Sequence, residues 1–211
     1  MCKKPSYNTE YDGNDNMRDE VKESRVINVT DFDKYTKFKE DLNRRNKLAL
    51  SIVERGEKVP MRIFKFGMYD IWHSDLTVAE SASLFAIVSK VNDQYRIIVD
   101  DHFFQLNEFS QAQIIYHEKA HIDLGHLDGH AHNTTSHDFQ WTTDGISDYD
   151  KNELEADELA SNRLGLQQYI RGYELEMDYT SRKLGFINKT DEYRLEQIKK
   201  ITKVTDYSQY Q

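Results

Sequence analysis

One cysteine, Cys2, is present in 211 residues. That scarcity excludes a disulfide framework and any zinc site built from cysteine pairs. Long apolar runs are also missing, and none approaches the ~18 residues that a membrane-spanning helix needs. The residues after Met1-Cys2-Lys3-Lys4-Pro5 are polar, and only Met1 precedes Cys2. Neither a secretory leader nor a lipid anchor on that cysteine is therefore expected, and a cytoplasmic location is the default. No basic stretch dominates. Lys and Arg number 28 against 37 Asp and Glu, a net charge of -9, which argues against nucleic acid as the primary ligand.

The chain carries 38% hydrophobic and 12% aromatic residues, 13 of them tyrosine, enough for one modest core. Its length suits one domain with an extension. Residues 1–28 are polar and contain Asp12-Gly13-Asn14-Asp15-Asn16, the composition of a flexible arm. Residues 29–175 are expected to form the main domain, and residues 176–211 a helical extension packed on it.

Within the domain, Asp31 is a plausible N-cap for a helix over 31–55, with Phe32, Tyr35, Phe38, Leu42, Leu48, Ile52 and Val53 as a loose stripe. Met61–Phe66 alternates as a strand does. Ser83–Val88 and Tyr95–Val99, separated by Asn92-Asp93, read as a hairpin. A helix from an N-cap at Ser110 to Leu124 is stopped by Gly125. After a loop over 126–147, Ser147 caps a helix over 148–169, with Gly165 inside it as a possible earlier end. Further helical segments fall near 171–184 and 190–203. Strands followed by helices predict an α+β fold, a small antiparallel or mixed sheet packed on the 110–124 helix with a C-terminal helical part.

The chemistry centres on His117-Glu118-Lys119-Ala120-His121. Histidines four apart on a helix share one face and can bind one ion, with the intervening glutamate beside them. On a helical wheel Ile114, His117, Glu118, His121 and Leu124 cluster. Ala112, Tyr116, Lys119 and Asp123 fall opposite, with Lys119 and Asp123 as an i,i+4 pair. The ligand face is therefore expected to be the core face. The alternative is a chance match in a His-rich acidic chain, which a buried position on a capped helix disfavours.

Catalytic zinc takes three protein ligands and leaves a position for water. Leu127 stands where a metzincin would carry its third histidine, so that class is excluded. His126 follows the helix end, where its reach is doubtful, and His130, His132 and His137 lie in the loop. The best candidate is Glu153, in Glu153-Leu154-Glu155-Ala156-Asp157. Glu153 and Asp157 share a face with Ala156, Ala160 and Leu164, whose small residues permit close helix approach. Glu153 is expected as ligand, and Asp157 as acceptor from a ligating histidine. Glu155 should face solvent. It and the loop histidines are the alternatives for the third ligand.

His117-Glu118-x-x-His121 followed by Glu153-x-x-Ala156-Asp157 resembles the gluzincin metallopeptidases, most of all the bacterial and phage ImmA/IrrE-type minimal gluzincins. The resemblance spans roughly residues 83–165. Ste24/HtpX-like peptidases share both motifs but carry membrane spans. The resemblance implies a sheet edge beside the metal helix, supplied here by Ser83–Val88 or Tyr95–Val99, where a peptide or protein substrate adds as a strand. A phage-encoded chain would be virion-associated rather than simply cytoplasmic. Lys119 departs from the family, which is commonly apolar at that position.

The expected function is zinc-dependent endopeptidase. Zn2+ on His117, His121 and Glu153 activates water, and Glu118 serves as general base. The alternative is a zinc-stabilised regulatory or phage structural protein on the same scaffold. Asp148-Tyr149-Asp150-Lys151-Asn152 resembles an EF-hand start, but Leu159 replaces the glutamate at the twelfth position, so calcium is rejected. Tyr116, Tyr149 and Tyr169 are candidate oxyanion donors, with Tyr116 disfavoured by the wheel.

Overall fold

The computed structural model describes residues 27–74, 76, 85–91, 94–127 and 148–201. The fold is α+β. In chain order its elements are β1 (Ile27–Val29), α1 (Phe32–Glu54), β2 (Arg62–Phe66), β3 (Tyr69–His73), β4 (Ala86–Val91) and β5 (Gln94–Val99). Then come α2 (Glu108–Asp123), α3 (Asp148–Leu164), α4 (Leu166–Tyr179), β6 (Phe186–Asn188) and α5 (Lys189–Lys199). No helix among the described residues is long and apolar enough to cross a membrane.

The main sheet has the order β2-β3-β5-β4. Its β3–β5 pair is parallel and the other pairs are antiparallel, so the sheet is mixed. The expected strand at Met61–Phe66 is β2, and Tyr95–Val99 lies within β5. The strand expected at Ser83–Val88 instead starts at Ala86 and runs to Val91. The tight turn between β2 and β3, and the separate pairing of β1 with β6, were not legible as strand signals.

Asp31 caps α1, its Oδ1 accepting from the Lys34 N–H at 3.2 Å. The apolar stripe assigned to this helix is only partly buried. Phe38 is covered, whereas Phe32, Leu48 and Val53 are exposed.

The core lies in two parts on either side of α2. Ile71, Ala86, Ile97 and Val99 of the sheet pack on Ile114 and Ile115, with Phe38 and Phe186 closing that cluster. On the other side, Ala120 meets Ala156, Leu159, Ala160, Tyr169, Tyr173, Leu195 and Ile198. This placement corrects the wheel. Ile115 and Ala120 are fully buried outside the His117–His121 face. Tyr116, placed on the outer side, is half-buried and packs edge-on against Tyr69 at 5.8 Å. A helix held between a sheet and other helices buries more than one face, and a single-stripe reading misses that.

Three boundaries differ from expectation. The N-cap of α2 is Asn107, not Ser110: Asn107 Oδ1 accepts from the N–H groups of Phe109 at 2.9 Å and Ser110 at 3.1 Å. Ser110 is one turn inside and donates its hydroxyl to the Gly172 carbonyl at 2.8 Å. The helix expected over 148–169 ends at Leu164, because Gly165 adopts φ +93°, a conformation that only glycine takes readily. The boundary placed at 175/176 falls inside α4, which runs into a single π turn over Thr180–Leu184. Residues 1–26 of the expected arm, and 128–147 of the expected loop, lie outside the described residues.

Candidate metal centre

α2 and α3 cross where both present alanine: Ala120, Ala156 and Ala160 each have no exposed surface. Without longer side chains in the way, the helices approach closely and the polar residues one turn along converge. His117 Nε2 lies 3.0 Å from His121 Nε2. Glu153 reaches both, Oε2 to His117 Nε2 at 3.2 Å and Oε1 to His121 Nε2 at 3.4 Å. The three donor atoms lie within 4.8 Å of one another. Two imidazole nitrogens and one carboxylate oxygen facing a common point suit zinc in both type and number.

Asp157 stands behind His117, with Oδ1 2.8 Å from Nδ1. An imidazole that donates from Nδ1 leaves Nε2 free as a ligand. Asp157 is in turn held by the Tyr169 hydroxyl, which donates to Oδ1 at 2.6 Å. Gln113 Nε2 donates to that hydroxyl at 3.3 Å. Tyr169, weighed above as an oxyanion donor, thus sits on the Nδ1 side of His117, away from the converging donors.

His126 does not join the three-donor set. Its Nδ1 lies 2.9 Å from Nδ1 of His121, on the far side of that ring, and its Nε2 lies 3.3 Å from Glu155 Oε2. Glu155 is exposed, as its position round the helix requires. His130, His132 and His137 lie outside the described residues. Asp148 to Asn152 form the first turn of α3, a helical backbone rather than a calcium loop.

Glu118 points from α2 to β4, the edge strand of the sheet among the described residues. The Asp100 N–H donates to the Phe85 carbonyl at 3.1 Å, so Phe85 and Asp100 form a hydrogen-bonded pair. Such pairs alternate along an antiparallel ladder, which turns the N–H of Val88 outward from β4. The Glu118 carboxylate accepts from that N–H. Burial pushes its pKa up to about 7, with the neighbouring Glu153 charge adding to the rise.

Arg194, on α5, is the residue that the sequence reading missed. Its Nε and Nη2 donate to the two Asp157 oxygens at 2.9 and 2.8 Å. Its Nη1 lies 2.9 Å from Glu153 Oε2, and Nη2 lies 3.3 Å from both ring nitrogens of His117. A signal existed: Arg194 shares the helical stripe of Leu195, Ile198 and Ile201, a basic residue on a largely apolar face.

The electrostatics follow from these contacts. Burial opposes charge on Glu153, yet Arg194 and the histidines hold its carboxyl well below the usual range. Asp157 is buried as well, and Arg194 and His117 lower it to about 2. The two imidazoles diverge. Burial disfavours charge on both, but Asp157 raises His117 to about 10, while His121 falls to about 3. A metal ion bound there would compete with a proton for His117 Nε2. A scan against protein-family models, a search of curated proteins and a search of solved structures each return no match for this chain.

Proposed function

We propose that the chain is a zinc-dependent endopeptidase of gluzincin type, virion-associated if phage-encoded and otherwise cytoplasmic. The observation that carries this reading is the convergence of His117 Nε2, His121 Nε2 and a Glu153 oxygen within 4.8 Å, with Glu118 on the same turn of α2. His117, His121 and Glu153 would hold the ion. When bound, zinc supplies Lewis-acid activation of water and of a carbonyl.

The chain's own groups do the rest. Glu118, half-buried and raised toward neutral pH, takes a proton from the attacking water and passes it to the leaving amine. Asp157 fixes the His117 ring so that Nε2 faces Glu153. Beside the Val88 N–H that Glu118 holds, the other outward backbone groups of β4 would give an extended peptide a strand to pair with.

The test is Glu118→Gln. The purified variant is expected to keep one zinc per chain by elemental analysis and to lose peptide cleavage by at least about a hundredfold. Cleavage at the parent rate would overturn the mechanism. A parent protein that binds zinc yet cleaves no peptide in a broad substrate library would favour the non-catalytic alternative.

A further inference from the structure

We infer that Arg194 is a built-in counter-cation of the metal centre: it stabilises the metal-free fold and loosens the hold on zinc. This rests on reading the cluster as a zinc site, but not on peptide hydrolysis.

Glu153 and Asp157 are one helical turn apart on α3, with 8% and 0% of their surface exposed. Two carboxylates so placed repel each other, and burial strengthens the repulsion. One guanidinium answers both, with Nη1 at 2.9 Å from Glu153 and two bonds to Asp157. Arginine stays charged at any working pH. A zinc ion on the same Glu153 answers the same negative charge. Arg194 and zinc are therefore two cations bound to one anionic pair, and each lowers the worth of the other.

Orientation does not depend on Arg194 alone. Asp157 keeps the Tyr169 hydroxyl at 2.6 Å and His117 Nδ1 at 2.8 Å without it. What its removal takes away is mainly charge. Metal-free protein should then suffer more than zinc-loaded protein, and by linkage zinc should bind more tightly.

The experiment measures melting temperature in chelator and in saturating zinc, together with zinc affinity by chelator competition. It compares the parent, Arg194→Gln and Arg194→Lys. Glutamine is expected to lower the metal-free melting temperature, to enlarge the zinc-induced rise at least twofold, and to tighten zinc binding about tenfold or more. Lysine, keeping the charge, is expected to return the rise towards the parent value. Should the Gln variant not fold in chelator, recovery of its helical circular dichroism on adding zinc supports the inference, and failure to recover overturns it. Equal zinc-induced rises in parent and Gln variant overturn it while leaving the metal site standing, the result of a merely structural anchor. No zinc-induced rise in any of the three overturns the metal reading and this inference together.

Discussion

His117 Nδ1 lies 2.8 Å from Asp157 Oδ1, and that same oxygen accepts the Tyr169 hydroxyl at 2.6 Å. Orienting partners of this kind typically cost 10–100-fold in metal affinity when removed. Asp157→Asn is expected to weaken zinc binding within that range, and Tyr169→Phe by a smaller factor, because His117 keeps its carboxylate. Chelator-competition titration checks both. Parent-like affinity in Asp157→Asn would show that the carboxylate does not orient His117.

At Gly172 α4 lies close against α2. A Cβ there would stand 2.4 Å from the Phe109 carbonyl oxygen and 2.6 Å from Gln113 Cβ, and neither neighbour can simply swing away. Gly172→Ala is expected to push α4 outward and to destabilise by about 1–3 kcal/mol, the usual cost of overpacking. It should also stretch the Ser110 bond to the Gly172 carbonyl. Urea unfolding measures the loss, and unchanged stability would refute the close-approach account.

The assignment of the α2 cap can be tested by comparing two alanines. Asn107→Ala removes a side chain that serves two orphan N–H groups and should cost about 1 kcal/mol. Asn107 reaches Gly172 only through Ser110, to whose hydroxyl its Nδ2 donates at 3.0 Å. Ser110→Ala instead removes a buried bond between helices, also about 1 kcal/mol. Combined with Gly172→Ala, the Ser110 change should deviate from additivity by more than the Asn107 change, because Ser110 bonds Gly172 directly.

Glu176 gives a pH dependence at a residue outside the three-donor set. Burial raises its pKa to about 8, with Asp191 of α5 adding repulsion and Arg194 opposing it. The folded value exceeds the unfolded one, so the stability gained from the protonated form is full below the ordinary carboxylate range. It is lost as pH rises through about 8. Glu176→Gln is expected to flatten this loss and to gain on the order of 1 kcal/mol over the parent at about pH 9, by urea unfolding. An equal loss in both proteins between about pH 6 and pH 9 would remove Glu176 as the cause.

Most of what the sequence made legible had a short-range cause. The His117–His121 spacing, the alternation in β2 and the Asp31 cap all follow from local geometry. The Glu153–Asp157 spacing on the alanine face was legible for the same reason, and both residues stand where the two helices meet. What was missed depends on partners distant along the chain. Arg194 joins the site across 37 residues from Asp157, and no local pattern says which buried arginine meets which carboxylate. β1 and β6 are three residues each, too short to show any period, and exist because they pair with each other. The Ser110 error has the same origin: a good capping residue was claimed by the Gly172 carbonyl.

The pairing of β1 with β6 also bears on the order in which the molecule assembles. Ile27 meets Asn188, and Asn188 Oδ1 accepts from the Thr190 N–H to start α5, the helix that carries Arg194. Bringing those two strands together closes nearly the whole described chain into one loop, a contact whose entropic cost is met before any reward. Local helices and the β2–β3 hairpin should therefore appear early, and this clasp late.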